Sequence, residues 1–247
     1  MFARGNKIGS ALLLLAIGCW LGGTTAVSAT PTTPTDNQWI PRAAQLEERR
    51  DWPELLKHAF RWTRNNPNDY RAWFNMGLAQ EQMALVEQAM GSYRQSLRLN
   101  PDFAPAWYNL GVLLREADRI GEAIEATRRA TEAAPEMKEA WYNLGVLHGR
   151  AGEYDREIEA YRRLLAVAPE FAPAWLNLGA AHGNAGRIPE AITVLERAVE
   201  LAPRQPGALL ALGQAYVAGG QLAKAGDIQR RLAALDPEMA AQLADLL

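Results

Sequence analysis

Prolines stand at Pro67, Pro101, Pro135, Pro169, Pro203 and Pro237, and each lies 34 residues after the one before. Tryptophans Trp73, Trp107, Trp141 and Trp175 keep the same interval, and so do glycines Gly77, Gly111, Gly145, Gly179 and Gly213. Three interleaved series of one period describe a stack of equivalent units in which each unit touches chiefly its neighbours. The strings AWFNMG, AWYNLG, AWYNLG and AWLNLG repeat the same local chemistry, and a fifth, ALLALG, loses the aromatic but keeps Leu212 and Gly213.

Inside a unit the apolar spacing is helical. Trp107, Leu110 and Leu114 share one face, and Ala123, Ile124, Thr127 and Ala130 share the next. The spacing predicts two antiparallel helices per unit. Gly152, Gly186 and Gly220, with Asp118 at the equivalent place, mark the turn between them, since these residues tolerate a left-handed backbone. Proline removes a backbone donor and biases the residue before it away from the helical region, so it divides one unit from the next. The first-helix glycine is expected to face Ala89, Ala123, Ala191 and Ala225, a contact of small residues that brings the axes close. Glu157 replaces alanine in this series, which predicts a splayed or weakened crossing in that unit.

The succession Trp, Leu-Gly, aromatic, Ala, aromatic, Ala, Pro over Tyr70 to Pro237 resembles the tetratricopeptide repeat (TPR) family. The resemblance implies an all-α, right-handed solenoid of stacked helix-turn-helix repeats with a C-terminal capping helix. It places repeats at 70–103, 104–137, 138–171, 172–205 and 206–237. A degenerate repeat is expected at 38–69, keeping Pro67 but carrying Ala43 for glycine and Leu55 for alanine. The cap is expected at 238–247, with Met239, Leu243 and Leu246 on one side.

Ahead of the repeats, residues 1–29 carry Arg4 and Lys7, then an apolar run centred on Ala11 to Leu21, then small residues. This is the three-part pattern of a secretory signal, with a cut expected after Ala29 and a flexible linker at 30–37. Two alternatives compete. Leu15-Ala16-Ile17-Gly18-Cys19 fits a relaxed lipoprotein signal with Cys19 as the lipidated residue, and an uncleaved anchor is the third possibility. All three place the repeats outside the cytoplasm, in the periplasm or anchored and facing it, because the cations stay inside.

Composition narrows the function. Of 247 residues, 26 are Lys or Arg and 28 are Asp or Glu, so bulk charge selects neither nucleic acid nor membrane. One cysteine builds no intramolecular disulfide and no thiolate metal centre. No phosphate-binding glycine loop, nucleophile elbow or zinc spacing is present, and signal plus repeats leave no length for a catalytic domain. No catalytic residue, cofactor or metal is therefore expected. His148 and His182, also 34 apart, are expected to pack between helices. The pairs Arg128-Arg129, Arg162-Arg163 and Arg230-Arg231 alternate with acids on second helices and are expected to form a solvated face.

In stacked helix pairs the first helices line a concave groove. Asn75, Asn109, Asn143 and Asn177 each follow a tryptophan by two residues and fall in a row along it. Equivalent helices are about 8–10 Å apart and an extended chain advances about 3.3 Å per residue, so one amide would meet roughly every third residue of a peptide. An amide offers a donor and an acceptor, which suits a peptide unit whatever its side chain. Such a row is similar to the asparagine rows of superhelical TPR proteins that hold extended polypeptide. A structural hydrogen bond is the competing reading of each amide. At about 0.5–1.5 kcal/mol per bond, four amides bind weakly, so side-chain contacts are also required. Phe74, Tyr108, Tyr142 and Leu176, with Arg115 and Arg150, are the candidates. The carboxylate clamp of chaperone-binding TPR proteins is not implied, because Phe74, Leu78 and Glu139 occupy three of its five places and only an asparagine such as Asn109 agrees. The expected function is a non-catalytic protein-interaction scaffold of the cell envelope. A membrane-tethered assembly factor similar to pilotin lipoproteins and an accessory subunit of an enzyme complex are the alternatives.

Overall fold

The computed structural model of the protein describes residues 36–247; the signal segment, Cys19 and most of the expected linker lie outside the described residues. Among the described residues there are thirteen α-helices and no strand. Six antiparallel pairs follow one another: α1 (Asp36–Glu48) with α2 (Trp52–Asn65), α3 (Tyr70–Gln82) with α4 (Val86–Leu99), and α5 (Ala104–Glu116) with α6 (Ile120–Ala133). They continue as α7 (Lys138–Arg150) with α8 (Tyr154–Val167), α9 (Ala172–Asn184) with α10 (Ile188–Leu201), and α11 (Pro206–Ala218) with α12 (Leu222–Ala233). α13 (Pro237–Ala244) closes the stack. Each helix packs on the next in sequence, and first helices of adjacent repeats touch, α5 with α7 and α9 with α11. This is an α-solenoid, with the core running as a strip between successive layers.

The turn inside each pair has one geometry. Arg50, Ala84, Asp118, Gly152, Gly186 and Gly220, all 34 apart, have φ between 55° and 74°. The following amide then reaches back to the last turn of the first helix, as from Leu85 to the Gln80 carbonyl at 2.8 Å and from Glu153 to the His148 carbonyl at 2.9 Å. The degenerate first pair keeps this turn through Arg50, a residue that carries no mark of it in the sequence.

A second contact joins one pair to the next and explains why two of the periodic series share an interval. The indole N–H of Trp73, Trp107, Trp141 and Trp175 donates to the carbonyl of Pro67, Pro101, Pro135 and Pro169 at 2.9, 2.7, 2.7 and 2.7 Å. Each tryptophan thus ties the start of its own first helix to the turn that ends the preceding repeat. Where the fifth copy has Leu209, the Pro203 carbonyl is met instead by the Arg231 guanidinium at 3.3 Å.

The helix crossing corrects one expectation. The alanines Ala89, Ala123, Ala191 and Ala225 are buried, but the glycines meet larger residues one turn further along the second helix. A Cβ on Gly77 would stand 2.8 Å from the Tyr93 ring and one on Gly145 2.7 Å from Tyr161, while Gly111 and Gly179 face Thr127 and Leu195. Glycine is needed because an aromatic or branched side chain lies across the helix backbone, and any Cβ would displace it.

The ends differ slightly from expectation. α1 starts at Asp36, so the last two residues of the expected linker are helical. In the first pair Leu55 and Trp62 are fully buried and Trp39 stacks on Trp62 at 6.1 Å, an aromatic core in place of the glycine crossing. At the other end α13 begins on Pro237, and Leu243 packs over Gly213. Ala240 is buried beside it, whereas Leu246 is half exposed and does not join the apolar side.

Candidate functional site

The amides of the four asparagines are partly committed to the fold. Asn75 Nδ2 donates to the Arg71 carbonyl in its own helix at 2.8 Å. Asn109 Nδ2 donates to the Tyr93 hydroxyl at 3.2 Å, and Asn143 Nδ2 to the Thr127 hydroxyl at 3.1 Å. Asn177 Nδ2 lies 3.2 Å from the hydroxyls of both Tyr161 and Tyr142. From the second repeat of the row onward, the amide therefore bonds back to the second helix of the preceding repeat. These bonds fix the stacking of neighbours and leave each amide only part of its capacity for a ligand.

Exposure divides the candidates. Asn75, Asn109 and Asn177 are half-buried, but Asn143 is only 2% exposed and its Oδ1 accepts from Arg115 Nη1 at 2.6 Å. Phe74 and Tyr108 are likewise enclosed, Phe74 against Tyr93 and Phe103. For Asn143, Phe74 and Tyr108 the expectation of direct ligand contact is corrected: their side chains are buried, Asn143 between Thr127 and Arg115 and Phe74 between Tyr93 and Phe103. Tyr142 and Leu176 are half-buried. Arg115 is half-buried on Asn143, and exposed Arg150 reaches back to Asp118 at 2.7 Å. The half-exposed members of the row, with Tyr142 and Leu176, are the surface this face offers.

Two acids beside the row were not singled out as site residues by sequence. Glu81 on α3 accepts from the Tyr93 hydroxyl at 2.5 Å, and burial raises its pKa despite that bond. Glu157 on α8 is 8% exposed, and its Oε2 is enclosed without a hydrogen-bond partner. Burial alone pushes its pKa from 4.5 up to about 7. Room for Glu157 comes from the facing helix. Its carboxylate lies over the backbone of Gly149, where a Cβ would stand 2.7 Å from Oε1. The signal was present in the sequence, since Gly149 falls where the first two full repeats carry Glu81 and Arg115.

Histidine and arginine behave as expected. His148 and His182 are buried, and burial lowers the pKa of both, with His148 Nδ1 2.7 Å from a Glu153 carboxylate oxygen. Arg128 and Arg129 pair with Glu125 and Glu132, Arg163 with Glu159, and Arg230 with Asp227. Among the described residues no cluster of His, Cys, Asp and Glu has metal-site geometry, and no helix is long and apolar enough to cross a membrane.

The repeat geometry agrees with comparison to known proteins. The family model of the tetratricopeptide repeat matches residues 81–136, 108–174, 158–206 and 176–240, together more than half of the chain. The chain belongs to this family, whose repeats build protein-interaction scaffolds. No curated protein matches by sequence. Among solved structures, the chain is similar to YrrB, described as a TPR protein with an unusual peptide-binding site. That similarity has 20% identity and a TM-score of 0.70, covering 76% of this chain and 98% of that one. It is also similar to PilW, described as a widely conserved type IV pilus biogenesis factor, at 21% identity and a TM-score of 0.64, covering 86% and 100%. A MamA protein matches at 24% identity and a TM-score of 0.62, covering 69% and 93%. At these identities the likeness is one of fold.

Proposed function

We propose that this chain is a non-catalytic scaffold of the cell envelope that holds an extended peptide, or an extended segment of a protein partner, along its first helices. The observation that carries the reading is the row of half-exposed amides at Asn75, Asn109 and Asn177, flanked by Tyr142 and Leu176. An amide already donating to the fold is oriented, and its carbonyl oxygen, with the second N–H at Asn75 and Asn109, meets the partner's backbone at little further ordering cost. Export rests on the signal pattern of residues 1–29, and a membrane enters only through that segment if it is retained. The likeness to YrrB, described as having an unusual peptide-binding site, supports a peptide ligand.

Changing Asn75 and Asn109 together to Ala is expected to weaken partner capture from envelope extracts while circular dichroism shows the fold retained and melting falls only by the loss of the Asn109–Tyr93 bond. Asn143→Ala is the counterpart control and is expected to lower the melting temperature. Undiminished capture by a folded double variant would overturn the groove reading. The pilotin-like assembly factor is a second reading, favoured by Cys19 in a relaxed lipoprotein signal and by the likeness to PilW. There Cys19→Ser is expected to release the protein from membranes.

A further inference from the structure

Glu157 is the one described carboxylate whose oxygen is enclosed without a partner, and the side chains around it do not make up the deficit. The arginines on the adjoining turns are paired with other acids, Arg150 with Asp118, Arg156 with Glu153 at 3.2 Å, and Arg187 with Asp155, and burial is the only cause that shifts Glu157. His148, the residue before Gly149, is turned to Glu153. A carboxylate held out of water with no counter-ion is costly, and evolution of the fold alone would favour alanine, as in the other full repeats.

A second, independent feature lies beside it. At the first-helix position occupied by Glu81 and Arg115 in earlier repeats, two successive repeats carry glycine, Gly149 and Gly183. Glycine weakens a helix relative to alanine. Gly149 has a packing reason in Glu157, but a Cβ on Gly183 would meet nothing within 4 Å, and neighbouring Ala180 is exposed. At this position α7 and α9 therefore present no side chain, and the Glu157 carboxylate lies over the first of the two glycines. Half-exposed Asn177 donates to both Tyr142 and Tyr161, whose rings meet edge-on, and Glu157 acts electrostatically on Tyr161.

We propose that this glycine-lined stretch receives a lysine or arginine side chain of the extended partner, with Glu157 as its counter-ion. The inference rests on the groove reading and makes it specific: the repeats ahead of it hold backbone, and this one selects a cation. A long cationic side chain suits the site because its apolar stem lies along Gly149, Gly183 and Ala180 while its head reaches the acid. Entry of a cation also favours the ionised form of Glu157 that burial now resists.

The test is selection of a random dodecapeptide library displayed on phage against the wild-type protein, followed by titration calorimetry of the best peptide and its copy with norleucine for lysine. The expected result is a fixed cationic position and a loss of about tenfold or more on norleucine substitution, with Glu157→Gln binding both peptides equally. Selected peptides that lack a cation, or discrimination that persists in Glu157→Gln, would overturn the proposal and leave the groove reading standing. A library that yields no peptide sinks the groove reading and this one with it. If Glu157→Gln fails to fold, the carboxyl carbon of Glu157 in the wild type is titrated by NMR with and without the selected peptide. Its midpoint is expected to fall on binding, and an unmoved midpoint overturns the proposal.

Discussion

The repeat from Tyr70 to Phe103 and the repeat from Lys138 to Phe171 share the same aromatic, Tyr93 or Tyr161, laid over the same glycine, Gly77 or Gly145. They differ in where the carboxylate comes from. In the earlier repeat Glu81 on the first helix supplies it, Ala89 on the second makes room, and Tyr93 donates to it. In the later repeat the two are exchanged: Glu157 on the second helix supplies the carboxylate and Gly149 on the first makes room. The exchange keeps one glutamate at the crossing with one methyl group fewer and loses the hydrogen bond, since only Glu81 is paired with its tyrosine. Packing of a repeat is thus a property of position pairs, and a residue that looks like a defect in one series is matched by a change in another.

The strongest test breaks the match. Gly149→Glu alone places two carboxylates at one crossing and is expected to destabilise by about 3 kcal/mol. Combining it with Glu157→Ala rebuilds the earlier arrangement and is expected to recover most of the loss, so chemical denaturation of the four members of the cycle measures the coupling. Additive losses would show that the two positions do not compensate.

An effect of at most the same size is set by pH. The pKa of Glu157 is raised in the folded protein from 4.5 to about 7, so the native state binds more protons than the unfolded chain between those values. Stability from this group is therefore full below pH 4.5 and falls as pH rises to 7, by up to about 3 kcal/mol. The buried His148 and His182, with lowered pKa, act in the opposite direction as pH falls through the imidazole range. The difference between wild type and Glu157→Gln isolates the glutamate. Wild type is expected to lose stability relative to Gln as pH rises from 5 to 8, and parallel pH profiles would contradict the burial of this acid.

The smallest effect concerns the turns of the same two repeats. Ala84 and Gly152 hold equivalent positive φ angles of 60° and 73°. A side chain in this region carries a strain of about 1 kcal/mol. Ala84→Gly is expected to raise the melting temperature and Gly152→Ala to lower it, each by a few degrees. Changes of equal sign would show that the turns are not equivalent.

Much of this was legible beforehand because periodicity survives averaging over copies. The helix pairs, the turn at Gly152, Gly186 and Gly220, and the packing of His148 and His182 follow from recurrence and local chemistry. The candidate site was legible only as a row. Asn143 and Asn177 occupy the same sequence position, yet one is enclosed and clamped by Arg115 while the other is half-exposed between two tyrosines. That difference depends on residues 28 or 35 positions away, in other repeats, and no local pattern carries it.

The amino-acid sequence by itself determined the repeat, its length and the alternation of helix and turn, since a fixed spacing of glycine, tryptophan and proline restricts the backbone of each unit before any unit meets another. Only the tertiary structure decided what those residues touch. It joined the tryptophan and proline series through an indole hydrogen bond, turned glycine toward Tyr93 and Tyr161 rather than toward alanine, and set Glu157 over Gly149. The physical reason is that a helical period specifies which face a side chain occupies, whereas burial, pairing and room are settled by the neighbouring helix that covers that face.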